Sequence, residues 1–160
     1  MEITSGKLDK YIPIKKVNNK YVVSWGLNQI DQSNDLWQWY YFVVNHKPSI
    51  NEIKTNIETF INEQTKNIIF NHFKWNDMKI YLSLENQIDY KLLFDATMLQ
   101  DGKNLPEVLK FKINDENVYY EITSIDEFKD LILSINEHIR KSLKYGNDLK
   151  DSIEYYDYKI

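Results

Sequence analysis

Three serines in this chain each stand at the head of an apolar-periodic run with a capping-type side chain three residues on: Ser49-Ile50-Asn51-Glu52, Ser83-Leu84-Glu85-Asn86 and Ser124-Ile125-Asp126-Glu127. A hydroxyl in that place accepts from the orphan amides of a first helical turn, so each serine predicts a helix start, with Glu52 and Glu127 placed to reach back as capping boxes. After Ser49, Ile53, Ile57, Phe60, Ile61 and Ile68 keep helical spacing with Gln64 as a polar lapse, predicting a helix from Ile50 to about Phe70. After Ser83, Leu84, Ile88, Leu92, Ala96 and Leu99 make one apolar face, and Asp101-Gly102 ends it. After Ser124, Ile125, Phe128, Leu131, Ile132, Ile135, Ile139 and Leu143 continue a third face until Gly146, with Leu149 and Ile153 in a short extra helix beyond.

Each helix is preceded by strand signals. Tyr11 to Val17, Lys20 to Trp25 and Leu36 to Val44 are rich in β-branched and aromatic residues and are separated by Asn18-Asn19 and a polar stretch from Asn28 to Asp35. Phe73 to Trp75 and Met78 to Tyr81 flank Asn76-Asp77, a pair suited to the positive φ of a tight hairpin turn. Leu105 to Ile113 and Val118 to Ile122 flank the polar loop Asn114-Asp115-Glu116-Asn117. The fold class read from this order is α+β, antiparallel hairpins alternating with three helices as β-β-α arranged three times. Cap chemistry alone accounts for the likeness of the three helix starts.

Composition narrows the function classes. With no cysteine among 160 residues, disulfides and thiolate metal sites are excluded. The first 20 residues lack the continuous apolar core of a signal peptide, and no apolar run reaches the ~20 residues of a membrane-spanning helix, so neither secretion nor a membrane is expected. The net charge is −4, and Arg140 is the single arginine among 20 basic residues. The bidentate forks favoured for phosphates and base edges are nearly absent, and no nucleic-acid partner is expected.

Reactive constellations are missing from the sequence pattern. Gly6, Gly26, Gly102 and Gly146 are isolated, so no phosphate-cradling loop forms by a known motif. His46, His72 and His138 lie far apart without a second ligand at helical spacing, and no metal site is expected. Ser49, Ser83 and Ser124 stand at helix starts, and acidic residues such as Asp89, Asp95, Glu121 and Asp126 show no spacing that singles out an acid–base pair. The expectation is a protein without catalytic residues and without cofactors.

What stands out is the aromatic content: 12 Tyr, 7 Phe and 4 Trp. Along Leu36 to Val44, Trp37, Trp39 and Tyr41 alternate on one face while Gln38, Tyr40 and Phe42 occupy the other. A strand this heavy on both faces is either sandwiched between layers or meets a partner. Tyr155, Tyr156 and Tyr158 cluster at the C-terminal end with Ile160, where most domains fray. These six rings, Trp37, Trp39, Tyr41, Tyr155, Tyr156 and Tyr158, are the candidate protein-interface residues; the two readings weigh equally for the strand, and for the terminal tyrosines the plainer reading is docking onto the chain's own fold.

Several segments together carry a family resemblance: His46-Lys47-Pro48-Ser49, Phe73-Lys74-Trp75 with its turn, Leu82-Ser83-Leu84-Glu85-Asn86-Gln87 with Tyr90 and Asp95, Leu105-Pro106, Phe111-Lys112, Val118-Tyr119-Tyr120-Glu121 and His138-Ile139. From about His46 to Ile153 the chain resembles a domain family of undefined function found in tail-fibre-like and fibre-assembly-like proteins of tailed phages and prophages, often those of gut Bacteroidales. On this basis the chain divides into a strand-rich attachment segment (1–45), the family-like α+β domain (46–153) and an aromatic tail (154–160), expected to pack as one compact unit. The resemblance implies a virion structural protein in a tail, fibre or head-to-tail position, located in the virion and, during assembly, in the host cytoplasm. Its partners would be other virion proteins, and a symmetric homo-oligomer is expected. The rival readings are a fibre-assembly chaperone absent from the mature particle and a small enzyme with an unrecognised constellation.

Overall fold

The computed structural model describes residues 1–113, 116–155 and 158. These form eight strands and three α-helices in the order β1 (Glu2–Gly6), β2 (Ile14–Val17), β3 (Lys20–Asp31), β4 (Leu36–Val44), α1 (Ile50–Asn71), β5 (Lys74–Trp75), β6 (Met78–Lys79), α2 (Leu84–Leu99), β7 (Glu107–Ile113), β8 (Glu116–Ile122) and α3 (Ile125–Asp151). Every strand pair is antiparallel, in two four-stranded sheets of order β1-β4-β3-β2 and β5-β6-β7-β8. The class is α+β, as the alternating periodicities predict. The threefold β-β-α scheme is only approximate, because an unforeseen β1 joins the first sheet and the second and third hairpins share one sheet through Lys79 opposite Lys112.

The chain's contacts gather into two compact units, Met1–Asn62 with Asp148–Ile160, and Glu63–Asn147. This partition differs from the 1–45, 46–153 and 154–160 division read from the sequence, because α1 and α3 each contribute residues to both units. In the first unit, Asn18 and Asn19 turn β2 into β3 at φ 47° and 62°, the left-handed region that a two-residue hairpin requires. Strand β3 runs beyond Trp25 to Asp31, where a loop was expected. A register shift between Trp25 and Asn28, at Gly26 with φ 67°, lets the strand bend and resume pairing. The turn to β4 is held by Asp31, whose Oδ1 accepts from the Ser33 amide at 2.9 Å and the Ser33 hydroxyl at 2.6 Å. Bonds from the side chains of Ser33 and then Asn34 bring its carboxyl down to about 2.

The core of this unit packs Val23 and Trp25 of β3 against Ile53, Ile57 and Ile61 of α1, with Tyr40, Phe42 and Phe60 around them. Trp25 stacks on Tyr40 at 5.0 Å between ring centroids and meets Phe60 edge-on at 5.7 Å, geometries that suit the ring quadrupole. Strand β1 escaped the sequence reading because Glu2-Ile3-Thr4-Ser5-Gly6 carries one large apolar side chain and so has no apolar period to detect.

In the second unit, Asn76 and Asp77 take φ 48° and 61° and fold β5 onto β6 as the sequence predicts. The loop residues Asn114 and Asp115 of the third hairpin lie outside the described residues. The inward faces of β5 to β8 supply Trp75, Met78, Leu109, Phe111 and Ile122. Against them pack Tyr90, Leu93 and Phe94 of α2, and Phe128, Leu131 and Ile135 of α3. Trp75 Nε1 donates to Asp130 Oδ2 at 2.8 Å, so the indole polar atom is satisfied while its rings are buried.

All three serine caps form: the amides of Glu52, Asn86 and Glu127 each donate to the hydroxyl of Ser49, Ser83 and Ser124 at 3.2 Å. The two glutamates also take other partners. Glu52 pairs with His46 Nε2 at 2.9 Å, and Glu127 accepts from the Thr123 amide at 2.8 Å and the Tyr120 hydroxyl at 2.7 Å. The Thr123 amide, followed by the Tyr120 hydroxyl, depresses the Glu127 carboxyl below the ordinary glutamate value, and the same hydroxyl bond raises the Tyr120 phenol.

Helix α3 does not stop at Gly146; it continues to Asp151, absorbing the extra helix expected after residue 147. Gly146 instead marks a close approach, since a Cβ there would stand 2.3 Å from Thr65 Oγ1 of α1. The glycine is a packing requirement inside the helix rather than a terminator.

Two consequences follow for stability. Gly146→Ala should lower the unfolding free energy in urea by about 1–3 kcal/mol despite alanine's better helix propensity, because the added methyl overpacks against Thr65, and Thr65→Ala in the same chain should recover most of the loss. Glu127, with its folded pKa depressed, contributes stability that is fully present above the unfolded glutamate value near ~4.3 and fades as pH falls through the lower folded value. Glu127→Gln should therefore be less stable than the parent in urea melts at neutral pH, with the gap closing at low pH once the parent's Glu127 carboxyl is protonated.

Candidate protein-contact surfaces

The aromatic strand β4 presents its two faces to different surroundings. Tyr40 and Phe42 point into the first unit's core. On the opposite face the chain covers itself: after β1 pairs with β4, a 3-10 turn at Leu8–Lys10 leads into Tyr11, whose ring meets Trp39 edge-on at 5.7 Å. A Cβ on Gly6 would lie 3.2 Å from the Trp39 indole, so backbone and ring are already in close contact. Trp37 and Tyr41 flank it half-buried, the first donating to Asp35 Oδ1 at 2.7 Å and the second donating to the Glu2 carboxylate. That bond, with some desolvation, raises the Tyr41 phenol.

At the C-terminal end, Tyr158 docks into the same core and donates its hydroxyl to the Ser24 carbonyl at 3.0 Å. Tyr155 is half-buried beside it, with Lys54 Nζ 5.8 Å from its ring centroid. The Tyr155 hydroxyl is buried without a hydrogen-bond partner among the described residues, and burial, then the charge of Glu58, raises its pKa. Tyr156 and Ile160 lie outside the described residues. Trp39 and Tyr158 retain only 7% and 4% of their surface, so these two members of the interface set are corrected to core residues of the chain's own fold. The physical reasons differ: Trp39 is covered by Gly6 and Tyr11 of the N-terminal segment, and Tyr158 docks into the core between sheet and helix.

The large uncovered apolar surface lies instead on α2. Leu84, Ile88, Leu92 and Leu99 are 65%, 59%, 61% and 87% exposed, with Met98 beside them. This is the stripe that the sequence pattern marks as the helix's apolar face, yet the core takes the opposite one, Tyr90, Leu93, Phe94 and the fully buried Thr97. Phe94 packs edge-on against Phe128 at 5.5 Å, and Thr97 bonds Asn104 Nδ2 at 2.9 Å, fixing the helix by that side. The helix is apolar on two opposed faces, a composition that suits a helix covered all round. The signal was legible in Tyr90-Leu93-Phe94-Thr97 at i, i+3, i+4 and i+7, but a stronger aliphatic repeat stood beside it.

A shallow depression of about 580 Å³ in the second unit brings together His72, Lys74, Glu137, His138 and Lys141. Of these, Glu137, His138 and Lys141 are engaged in structural contacts. His138 Nε2 lies 3.2 Å from the Ile68 carbonyl and its ring packs on Phe73, while Glu137 is held by Arg140 at 2.6 Å and Lys141 at 3.3 Å. Arg140 foremost keeps the Glu137 carboxyl below its ordinary range, the reverse of a carboxyl poised to deliver a proton. Among the described residues no group of three or more His, Asp and Glu is placed to hold a metal ion. No helix is long and apolar enough to cross a membrane, again among the described residues.

Trp39→Ala should cost about 3–5 kcal/mol of unfolding free energy, as removal of a buried indole does, and should leave any self-association of the folded protein unchanged at matched folded concentration. In contrast to these internal contacts, comparison with known protein families, characterised proteins and solved structures yields no match to the chain.

Proposed function

We propose that the chain is a non-catalytic assembly protein that joins a second copy of itself through the outward face of α2, and that it serves as a structural component of a tailed-phage particle. The observation that carries the reading is the exposed Leu84, Ile88, Leu92 and Leu99 stripe on a helix whose other side is already packed. Four such side chains leave on the order of 500 Å² of apolar surface uncovered, at the upper end of what a monomer ordinarily shows, ~300–600 Å². Doubled across a twofold axis, the area reaches the ~1,000 Å² that marks a specific interface.

A twofold pairing is self-complementary by construction, since the same apolar stripe meets itself. From Leu84 to Leu99 the stripe runs about 22 Å along the helix, long enough for a continuous seam. Both signs of charge accompany the stripe, with Asp95 lying between Leu92 and Leu99 and paired with Lys91 at 2.7 Å, so two copies need not bring like charges together. The phage setting is supported by the resemblance over residues 46–153 alone.

Sedimentation of the full chain at micromolar to hundred-micromolar concentration tests the association. The parent should form dimers, and Ile88→Asp with Leu92→Asp should remain monomeric without loss of helical signal, since both side chains point to solvent in the single chain. A parent that stays monomeric throughout that range would remove the reading. Mass spectrometry of purified particles tests the setting: the chain should be found in the mature particle, and its presence in infected cells alone would favour the chaperone reading.

A further inference from the structure

In the second unit's sheet, strand alternation separates an apolar face from a basic one. Trp75, Met78, Leu109 and Phe111 are buried inward, while the residues beside them, Lys74, Lys79, Lys110 and Lys112, are exposed on the other face. The register sets Lys74 opposite Lys79 and Lys79 opposite Lys112, so three lysine positions align in one row across β5, β6 and β7. Lys110 follows two residues along β7, opposite Tyr119, which is 69% exposed.

Among the described residues no ion pair offsets this row. Adjacent strands lie ~4.8 Å apart, and like charges directly opposite one another are destabilising. Among the described residues no ion pair engages Lys74, Lys79, Lys110 or Lys112. On the described part of this face Glu121, opposite Val108, is the one strand carboxylate, although the chain as a whole is net −4. Protection of a sheet edge does not account for the pattern either, because β6 and β7 are interior strands.

We infer that this face is the docking site for an extended, acidic polypeptide segment of a partner protein, which runs along β7 so that its same-side carboxylates meet Lys110 and Lys112, with Lys79 and Lys74 beside them on the neighbouring strands. An extended strand projects same-side residues about 6.8 Å apart, the spacing of Lys110 and Lys112 along β7. Polypeptide carboxylates fit better than a nucleic-acid strand: the four cations are ammonium point charges without a guanidinium among them, and one exposed ring is fewer than the two or three on which sheet-based binders stack bases. The inference is independent of the α2 interface, which uses a different element.

The test is fluorescence anisotropy of the full chain with a dye-labelled ten-residue peptide of alternating Glu and Thr, beside a ten-nucleotide single-stranded oligonucleotide of the same label. The peptide should bind at low salt and weaken as salt rises toward physiological strength. Lys79→Gln with Lys112→Gln should reduce its affinity about fivefold, while Lys15→Gln with Lys16→Gln on β2 should leave it unchanged. Amide shifts of labelled parent protein titrated with the peptide should cluster on residues 74, 79, 108–112 and 117–121. Absence of binding at low salt, equal loss in the two lysine pairs, shifts centred elsewhere, or tighter binding of the oligonucleotide than of the peptide would each overturn the assignment.

Discussion

Burial of one face of each four-stranded sheet against helix side chains is the interaction on which the rest of this molecule depends. In the first unit Val23 and Trp25 meet Ile53, Ile57 and Ile61; in the second Phe111 and Ile122 meet Phe128 and Leu131. Every one of these side chains is at most 1% exposed, so the free energy of folding is concentrated there. Once those faces are committed, the opposite faces must find other solutions. The first sheet uses Tyr11 and Gly6 to cover Trp39, whereas the second leaves its outer face to lysines and Tyr119.

The aromatic surplus acquires a structural meaning in this light. Two cores must be filled rather than one, and each belongs to a unit of well under 100 residues. Small units bury a smaller fraction of their surface, and large rings recover area with few ordered side chains. Trp25 with Tyr40 and Phe60 does this in the first unit, and Trp75 with Phe111 and Tyr120 in the second. Of the rings that looked like contact devices, Trp39 and Tyr158 are core while Trp37, Tyr41 and Tyr155 are half-buried, and exposed aliphatic and charged side chains stand on α2 and the second sheet.

Local chemistry explains why so much of the element order was legible. Ser49, Ser83 and Ser124 cap the three helices, and Asn18-Asn19 and Asn76-Asp77 adopt the positive φ that their side chains tolerate. Each of these signals acts within a few residues and needs no partner from afar. Where the reading erred, a distant residue decided the outcome. Gly146 resembles a helix end until Thr65 occupies the space where its side chain would be. The polar stretch from Asn28 resembles a loop until β4 pairs with it.

Helix α2 states the division most sharply. Its two apolar stripes were both present in the sequence, and spacing alone could not rank them, because periodicity reports that a face is apolar and not what lies opposite it. Local chemistry was enough for the elements, their caps, their hairpin turns and the alternation that sets Lys74, Lys79, Lys110 and Lys112 on the side away from their strands' buried residues. Long-range packing settled which stripe of α2 met Phe128, which rings of β4 were covered, and that Lys74, Lys79 and Lys112 stand in a row. Those outcomes depend on pairing between segments far apart in the chain, where burial and register are set jointly by both partners and neither carries the answer alone.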